Sequence, residues 1–328
     1  MKTTKLGSVG PSVSAVGLGC MSMGRGGLYG PAAEEEGIRT IHEAIERGVT
    51  LLDTGDFYGM GDNELLVGKA ISGAKRDKVI LSVKVGGMRD PGGQFIGLDL
   101  RPAAVKNFAA YSLRRLGVDV IDVYRPCRLD PAVPIEDTVG AVADLVKAGY
   151  VRHIGLSEMG ADTIRRAHRV HPIADLQIEY SLASRSPEEK IFPVLHELGI
   201  SATLYGVLSR GLLSGKKPQG ALDYRAHQPR FQGEAATANA ALVEKLRAFA
   251  ERIGRSPAEV CVAWVLAKEP AFVPIVGART PSQLDVLGAA DRPLSADEMG
   301  EIERLVPKNA FQGSRYAEAL MAHLDSER

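Results

Sequence analysis

Residues 101–157 read RPAAVKNFAAYSLRRLGVDVIDVYRPCRLDPAVPIEDTVGAVADLVKAGYVRHIGLS, and this stretch decides the fold. Two kinds of segment alternate in it. RPAAVKNFAAYSLRRLG carries helical periodicity and stops on Gly117, a residue free to take the left-handed conformation that ends helices. VDVIDVY (118–124) is short and apolar, as a strand buried on both faces should be. IEDTVGAVADLVKAG repeats the helical pattern and stops on Gly149; RHIGLS (152–157) repeats the strand. Strands alternating with helices of this length predict βαβ units and a parallel sheet.

The same alternation extends both ways. AVGLGC (15–20), VTLLD (49–53) and KVILSVK (78–84) precede the stretch, and ADLQIEY (174–180), SATLY (201–205) and AFVPIV (271–276) follow it, which makes eight expected strands. EEEGIRTIHEAIERG ends on Gly48, and Ser256 with Glu259 and Ser295 with Glu298 have the spacing of capping boxes. Pro257 stands at a first helical position. Eight strands without a composition break predict an α/β fold of one domain over 1–328, a closed (β/α)8 TIM barrel. An open doubly wound sheet is the competing architecture. It is the weaker one because Gly17-Leu18-Gly19 runs on into Cys20-Met21-Ser22, and no G-x-G-x-x-G follows any strand. TTKL, a Gly/Pro turn and VSAVGLG predict an N-terminal β-hairpin. Residues 206–233 read as a long basic loop rich in Gly and Pro, either a lid or an extra surface loop, and 306–328 as a tail.

Composition narrows the function. Lys+Arg and Asp+Glu are both 40, so the chain lacks the bulk charge of a general nucleic-acid or membrane-surface binder. Hydrophobic residues at 45% and charged residues at 24% exclude large-scale disorder. Cys20, Cys127 and Cys261 lie far apart with no C-x-x-C, so a disulfide framework and a structural metal site are not expected. The N-terminus has no apolar leader region and no run is long enough to span a bilayer, so a cytoplasmic protein is expected.

In a (β/α)8 barrel the site is built where strands end. The residues at the expected strand ends are Asp53 with Tyr58 just beyond, Lys84, Arg125 to Arg128, Ser157 with Glu158, Gln177 with Glu179, Tyr205, and Gly277 with Arg279. Asp, Tyr and Lys make chemical sense together. A phenol with a pKa near ~10 is too weak an acid at neutral pH, and a neighbouring ammonium lowers it. A carboxylate then pairs the buried lysine. The product is a phenol able to protonate a carbonyl oxygen while hydride arrives at carbon.

The chain resembles the aldo-keto reductases, and more closely their long-chain bacterial and plant-type branch. The matching motifs are LLDTGDFYG (51–59), VILSVK (79–84), SLRRLGVDVIDVY (112–124), GYVRHIGLSE (149–158), LQIEYSL (176–182), YGVLSRGLLSG (205–215) and VPIVGAR (273–279), in the family's order and over nearly the whole chain. The resemblance implies an NADPH-dependent enzyme that reduces an aldehyde or ketone, with a small-molecule carbonyl substrate and no nucleic-acid or membrane partner. By position it implies Tyr58 as proton donor, Lys84 lowering its pKa and Asp53 holding Lys84. Ser157 and Gln177 fall at the carboxamide-binding positions and Tyr205 at the ring-stacking position. Gly206, Leu208, Ser209 and Arg210 fall on the pyrophosphate strap. Gly19, Cys20, Met21, Asp53 and Gly277 line the cofactor, and Arg279 with Gln283 nearby meets the 2′-phosphate.

Two positions depart from the family's pattern. Where Y-x-x-H-R-x-D-P is usual, this chain has Tyr124-Arg125-Pro126-Cys127-Arg128-Leu129-Asp130-Pro131, so Cys127 stands at the usual catalytic histidine. Val286-Leu287 stands where Glu-Asn is often found. A thiol is a weak donor, and loss of one oxyanion donor costs about 10²–10³ in turnover. An NADPH-binding sensor or regulatory subunit with vestigial reductase activity is therefore the alternative. Other readings are weaker. Asp53-Thr54-Gly55 lacks the second D-T-G an aspartic protease needs. A Schiff-base role for Lys84 does not account for the motifs of strands 5 to 8. Gly155-Leu156-Ser157-Glu158-Met159 is not G-x-S-x-G.

Overall fold

A computed structural model describes residues 1–24, 32–218 and 223–328, with the backbone alone of Ala319. The chain opens with an antiparallel hairpin, β1 (Thr3–Lys5) and β2 (Ser12–Ser14), as expected. Among the described residues, eight parallel strands then close into a barrel in chain order. They are β3 (Gly17–Gly19), β4 (Leu51–Gly55), β5 (Ile80–Val85), β8 (Ile121–Pro126), β9 (Val151–Ser157), β10 (Ile173–Glu179), β11 (Ser201–Tyr205) and β12 (Val273–Gly277). Each falls within or overlaps one of the apolar runs. Between β5 and β8 a second hairpin, β6 (Gly87–Arg89) and β7 (Phe95–Leu98), stands apart from the barrel and had no counterpart in the sequence reading.

Helices pack around the barrel. They are α1 (Glu34–Glu46), α2 (Asp62–Ala70), α3 (Pro102–Leu116), α4 (Ile135–Lys147), α5 (Ala161–Val170), α6 (Pro187–Leu198), α7 (Gly233–Arg252), α8 (Pro257–Lys268), α9 (Ala296–Leu305) and a short α10 (Glu318–Met321). Gly117 caps α3 in the left-handed conformation, and both capping boxes form at the starts of α8 and α9. Trp264 on α8 is fully buried and stacks on Tyr180. Residues 206–233 are less irregular than expected. They contain short 3₁₀ turns at Ser209–Ser214, Tyr224–His227 and Pro229–Phe231, while 219–222 lie outside the described residues.

The N-terminal hairpin settles which end of the barrel is open. Leu6 and Val13 form a buried apolar cluster with Leu51, Val123 and Val273, residues at or near the starts of β4, β8 and β12. The amino end is thus plugged by side chains. The carboxyl end, where the polar residues gather, is left for chemistry.

Candidate active site

The register of the barrel carries the site's first layer. Asp53 pairs Ser82, Gly55 pairs Lys84, and Lys84 in turn pairs Arg125 across to β8. Side chains alternate along a strand, so Ser82 and Lys84 point to one side, into the barrel with Asp53. There the Lys84 ammonium hydrogen-bonds Asp53 Oδ1. Asp53 Oδ2 accepts from Ser82 Oγ at 2.8 Å and from Gln177 Nε2 at 2.8 Å. A second ion pair lies beneath the first. Arg125 NH1 donates to Asp175 Oδ2 at 2.9 Å, and its NH2 donates to Ser82 Oγ at 2.9 Å. Thr203 Oγ1 donates to the same Asp175 oxygen at 2.7 Å. Gly155 makes room for this pair, since a Cβ there would lie 2.8 Å from Asp175 Oδ1 and 3.1 Å from Arg125 Cζ. Arg125 therefore stands behind the site and does not face the mouth. Two cations and two carboxylates share the buried layer, so no charge there is left uncompensated.

Tyr58 follows β4 on a tight turn in which Gly59, Met60 and Gly61 all have positive φ. Asn63 ties that turn to the β3 end, accepting from Thr54 Oγ1 at 2.7 Å and donating to the Cys20 carbonyl at 2.8 Å. Lys84 Nζ lies 5.1 Å from the centre of the Tyr58 ring. Burial pushes the phenol well above its ordinary pKa and the Asp53 charge adds to this; the Arg128 guanidinium works against both. The phenol is accordingly neutral at physiological pH, the form that donates a proton. The sequence reading expected Lys84 to lower the phenol's pKa; in the structure burial and Asp53 hold it raised, with Arg128 pulling downward, while burial depresses the lysine's own pKa and Asp53 restrains that shift.

Cys127 is buried at the end of β8, its backbone N–H bonded to the Val85 carbonyl at 2.8 Å. Burial raises its thiol to about 12, so it is neither a thiolate nucleophile nor a strong donor. Cys20 is buried at the end of β3, and burial likewise raises it to about 12. Gly19 and Gly277 are register partners on β3 and β12, with open space where a side chain of Gly277 would stand. Met21 follows at the same rim, half-buried.

The other side of the mouth holds a feature the sequence reading did not identify. Glu158, in the left-handed conformation at φ 54°, is fully buried next to Ser157. Arg315 from the C-terminal tail grips it with two bonds, 2.8 and 2.6 Å, and Ser326 adds a third at 2.5 Å. Burial alone would raise the Glu158 carboxyl; the Arg315 guanidinium outweighs it and holds the group well below the usual carboxylate range. The Tyr205 hydroxyl donates to Glu158 Oε1 at 2.7 Å and lies 2.9 Å from the Tyr316 hydroxyl, which fixes its ring at the end of β11. Glu179 receives Arg210 at 3.1 Å, with Arg230 and Arg315 at 3.5 and 3.6 Å. The signal for this cluster was Glu158 itself, a carboxylate at a buried strand end that requires a cation. Its partner lay 157 residues away.

The residues present suit an extended anionic dinucleotide. Ser157 and Gln177 bring a hydroxyl and an amide to one edge of the mouth. Gly206 has φ +67° and a Cβ there would meet Glu179 Cγ at 3.0 Å. Ser209, Arg210 and Gly211 continue with positive φ, and backbone turned in this way forms anion-binding concavities. Leu208 packs partly on the core, and the Ser209 hydroxyl accepts from Arg230 at 3.1 Å. The guanidiniums of Arg128, Arg210, Arg230 and Arg315 outnumber the carboxylates of Glu158 and Glu179. Beyond β12, Gln283 accepts the Arg279 backbone N–H at 2.7 Å. Val286 and Leu287 are buried and do not face the mouth's solvent.

Comparison with known proteins agrees with this arrangement. The sequence profile of the Aldo/keto reductase family matches residues 15–307. A probable aldo-keto reductase 1 from Glycine max is 39% identical over 328 residues, covering 98% of this chain and 93% of the relative. The glycerol dehydrogenase AKR11B4 from Gluconobacter oxydans superimposes with a TM-score of 0.85 at 28% identity, over 95% of this chain and 97% of the other. Aldo-keto reductase AKR11C1 from Bacillus halodurans, in its holo form, superimposes with a TM-score of 0.79 at 30% identity, over 97% and 99%. With the barrel, the Asp53–Lys84 pair beside Tyr58 and a profile match over most of its length, this chain belongs to the aldo/keto reductase family of oxidoreductases.

Proposed function

We propose that the protein is an NADPH-dependent reductase of aldehydes or ketones, with residues 1–328 forming one catalytic unit. The observation that carries this reading is the buried Asp53–Lys84 pair set beside the neutral phenol of Tyr58 at the open end of the barrel. NADPH supplies the hydride when bound. Ser157 and Gln177 orient its carboxamide, Tyr205 packs against its ring, and the strap of Gly206, Leu208, Ser209 and Arg210 holds its pyrophosphate. Arg279, positioned through Gln283, reads the 2′-phosphate. Tyr58 gives its proton to the carbonyl oxygen as the alcohol forms, and solvent at the mouth reprotonates it. Lys84 keeps the positive potential beside the phenol, and Asp53 keeps Lys84 charged and in place.

Tyr58→Phe tests the reading. The change removes a hydroxyl needed only as the reaction proceeds, so it acts on the transition state. NADPH oxidation with a panel of aldehydes should fall by about 10²–10⁴, the range of a placed general acid. Binding of NADPH, followed by protein fluorescence, should stay near the unmodified level. A variant that retains most of its turnover defeats the mechanism.

One observation favours a second reading. The buried thiol of Cys127 supplies no imidazole to orient a carbonyl. On that ground the alternative is an NADPH-binding sensor or regulatory subunit. Tight NADPH binding without reduction of any carbonyl in the panel would establish it.

A further inference from the structure

Arg128 has no assigned part in the scheme above, and its surroundings are unusual for an arginine. It follows Cys127 at the mouth end of β8 and is half-buried. One terminal nitrogen, NH1, donates to the Cys127 carbonyl at 2.6 Å and to Ser157 Oγ at 3.4 Å. These bonds fix the plane of the guanidinium at the rim, between the proton donor's side of the mouth and the carboxamide-binding side. Its charge is felt by Tyr58, Cys127, Tyr205, Tyr316 and Glu158, so it sits among the groups that line the reacting centre. Among the described residues no carboxylate lies within ion-pair distance of it; Glu158 is taken by Arg315, Ser326 and Tyr205. The Nε and NH2 edge makes no hydrogen bond to the described residues.

The charge is favoured by its surroundings, Glu158 among them, but the outer Nε and NH2 edge is left for a ligand anion to complete. The side-on edge of a guanidinium presents two parallel N–H groups, the geometry that matches paired oxygens. The family's neutral imidazole offers one donor and discriminates little between charged and uncharged carbonyls. Here the imidazole is missing, while the arginine that follows it in the Y-x-x-H-R-x-D-P pattern is kept as Arg128 and offers two donors and a full charge.

We propose that Arg128 takes over orientation of the carbonyl from the missing histidine and makes the site selective for 2-oxo acids, carbonyl compounds whose reactive C=O adjoins a carboxylate. The inference rests on the reductase reading above and names its substrate class. The Arg128 fork receives the carboxylate and steadies negative charge as it develops on the neighbouring carbonyl oxygen. Two electrons and a proton arrive as hydride at the carbonyl carbon while the C=O π bond breaks, and the oxygen takes its proton from Tyr58. The oxidised dinucleotide and a 2-hydroxy acid are the products.

The test is steady-state reduction of benzoylformate and of its uncharged analogue, methyl benzoylformate, at saturating NADPH. The unmodified protein should favour the acid in kcat/KM although the ester is the more electrophilic ketone. Arg128→Gln should lose about 10²–10³-fold on the acid, the scale of one lost oxyanion donor, and much less on the ester. Arg128→Lys keeps the charge without the fork and should fall between. The acid-to-ester ratio is a readout that a merely structural role for Arg128 would not move, and NADPH binding by each variant checks the fold. Equal losses on acid and ester, or a preference for the ester in the unmodified protein, overturn the role of Arg128 while leaving the reductase reading intact. Reduction of neither compound, nor of any simple aldehyde, overturns both.

Discussion

Asp56 lies two residues before Tyr58, buried, with Oδ1 lacking a hydrogen-bond partner among the described residues. Burial raises its carboxyl to about 7, and the charge of Glu64 pushes the same way, against hydrogen bonds from the Gly86 and Phe57 backbone. Its pKa is therefore higher folded than unfolded, and the folded state holds the extra proton between the ordinary carboxyl range and about 7. Stability falls as pH rises through that window, because the unfolded chain releases its proton first. Asp56→Asn imitates the protonated form. It should flatten this part of the pH–stability profile and stabilise the protein at pH 8 by on the order of 2–4 kcal/mol, read from urea unfolding at pH 5 and pH 8. At this scale much of the site was legible beforehand. Asp53, Lys84, Ser157 and Gln177 are polar residues in otherwise apolar strands, a placement with few structural uses. Arg125 was ambiguous because a strand shows which face a residue takes and not how deep in the barrel it lies. Arg128 was placed at its strand end but given no role, because its meaning depends on which of its donors the neighbours leave open.

At the scale of elements, the tail and the end of β9 form one unit. Arg315 donates two hydrogen bonds to Glu158 in a buried setting, and Asp325 accepts the Gly160 backbone N–H at 2.7 Å at the start of α5. Removing one partner of such a pair leaves a buried charge and typically costs about 3–5 kcal/mol. Arg315→Met should therefore loosen residues 315–328 ahead of the barrel, seen as faster hydrogen exchange in the tail with the strands still protected. The Glu158 carboxyl is held below its usual range, so its contribution is present above the ordinary carboxylate pKa and lost as pH falls below it. The same loosening should appear in the unmodified protein on acidification. The barrel strands were legible because residues buried on both faces make unbroken apolar runs. The β6–β7 hairpin was not: its sequence around Asp90-Pro91-Gly92-Gly93 reads as a loop, and Phe95 and Ile96 are exposed, so no burial pattern marks it.

The whole molecule divides its labour between the two ends of the barrel. The amino end, closed by Leu6 and Val13 over Leu51, Val123 and Val273, contributes stability and no chemistry. Leu6→Ala should cost about 2–5 kcal/mol, as cavities in a buried cluster do, and lower the urea midpoint. Under conditions where the variant stays folded, kcat and KM should be unchanged, which a structure relying on the hairpin to shape the mouth would not allow. Across the described residues, no helix is long and apolar enough to cross a membrane.

The reach of Arg315 back to Glu158 also sets a timetable. While the chain is being synthesised, Glu158 leaves the ribosome long before its partner, with 157 residues still to be added. At about 5–20 residues per second that interval is roughly 8–30 s. For that time the nascent barrel carries an acidic strand end without the two bonds of Arg315 or the one from Ser326, and the Tyr205 ring has no Tyr316 to steady it. Competence at the mouth is thus conferred late, by a segment that emerges only after all eight barrel strands have been made.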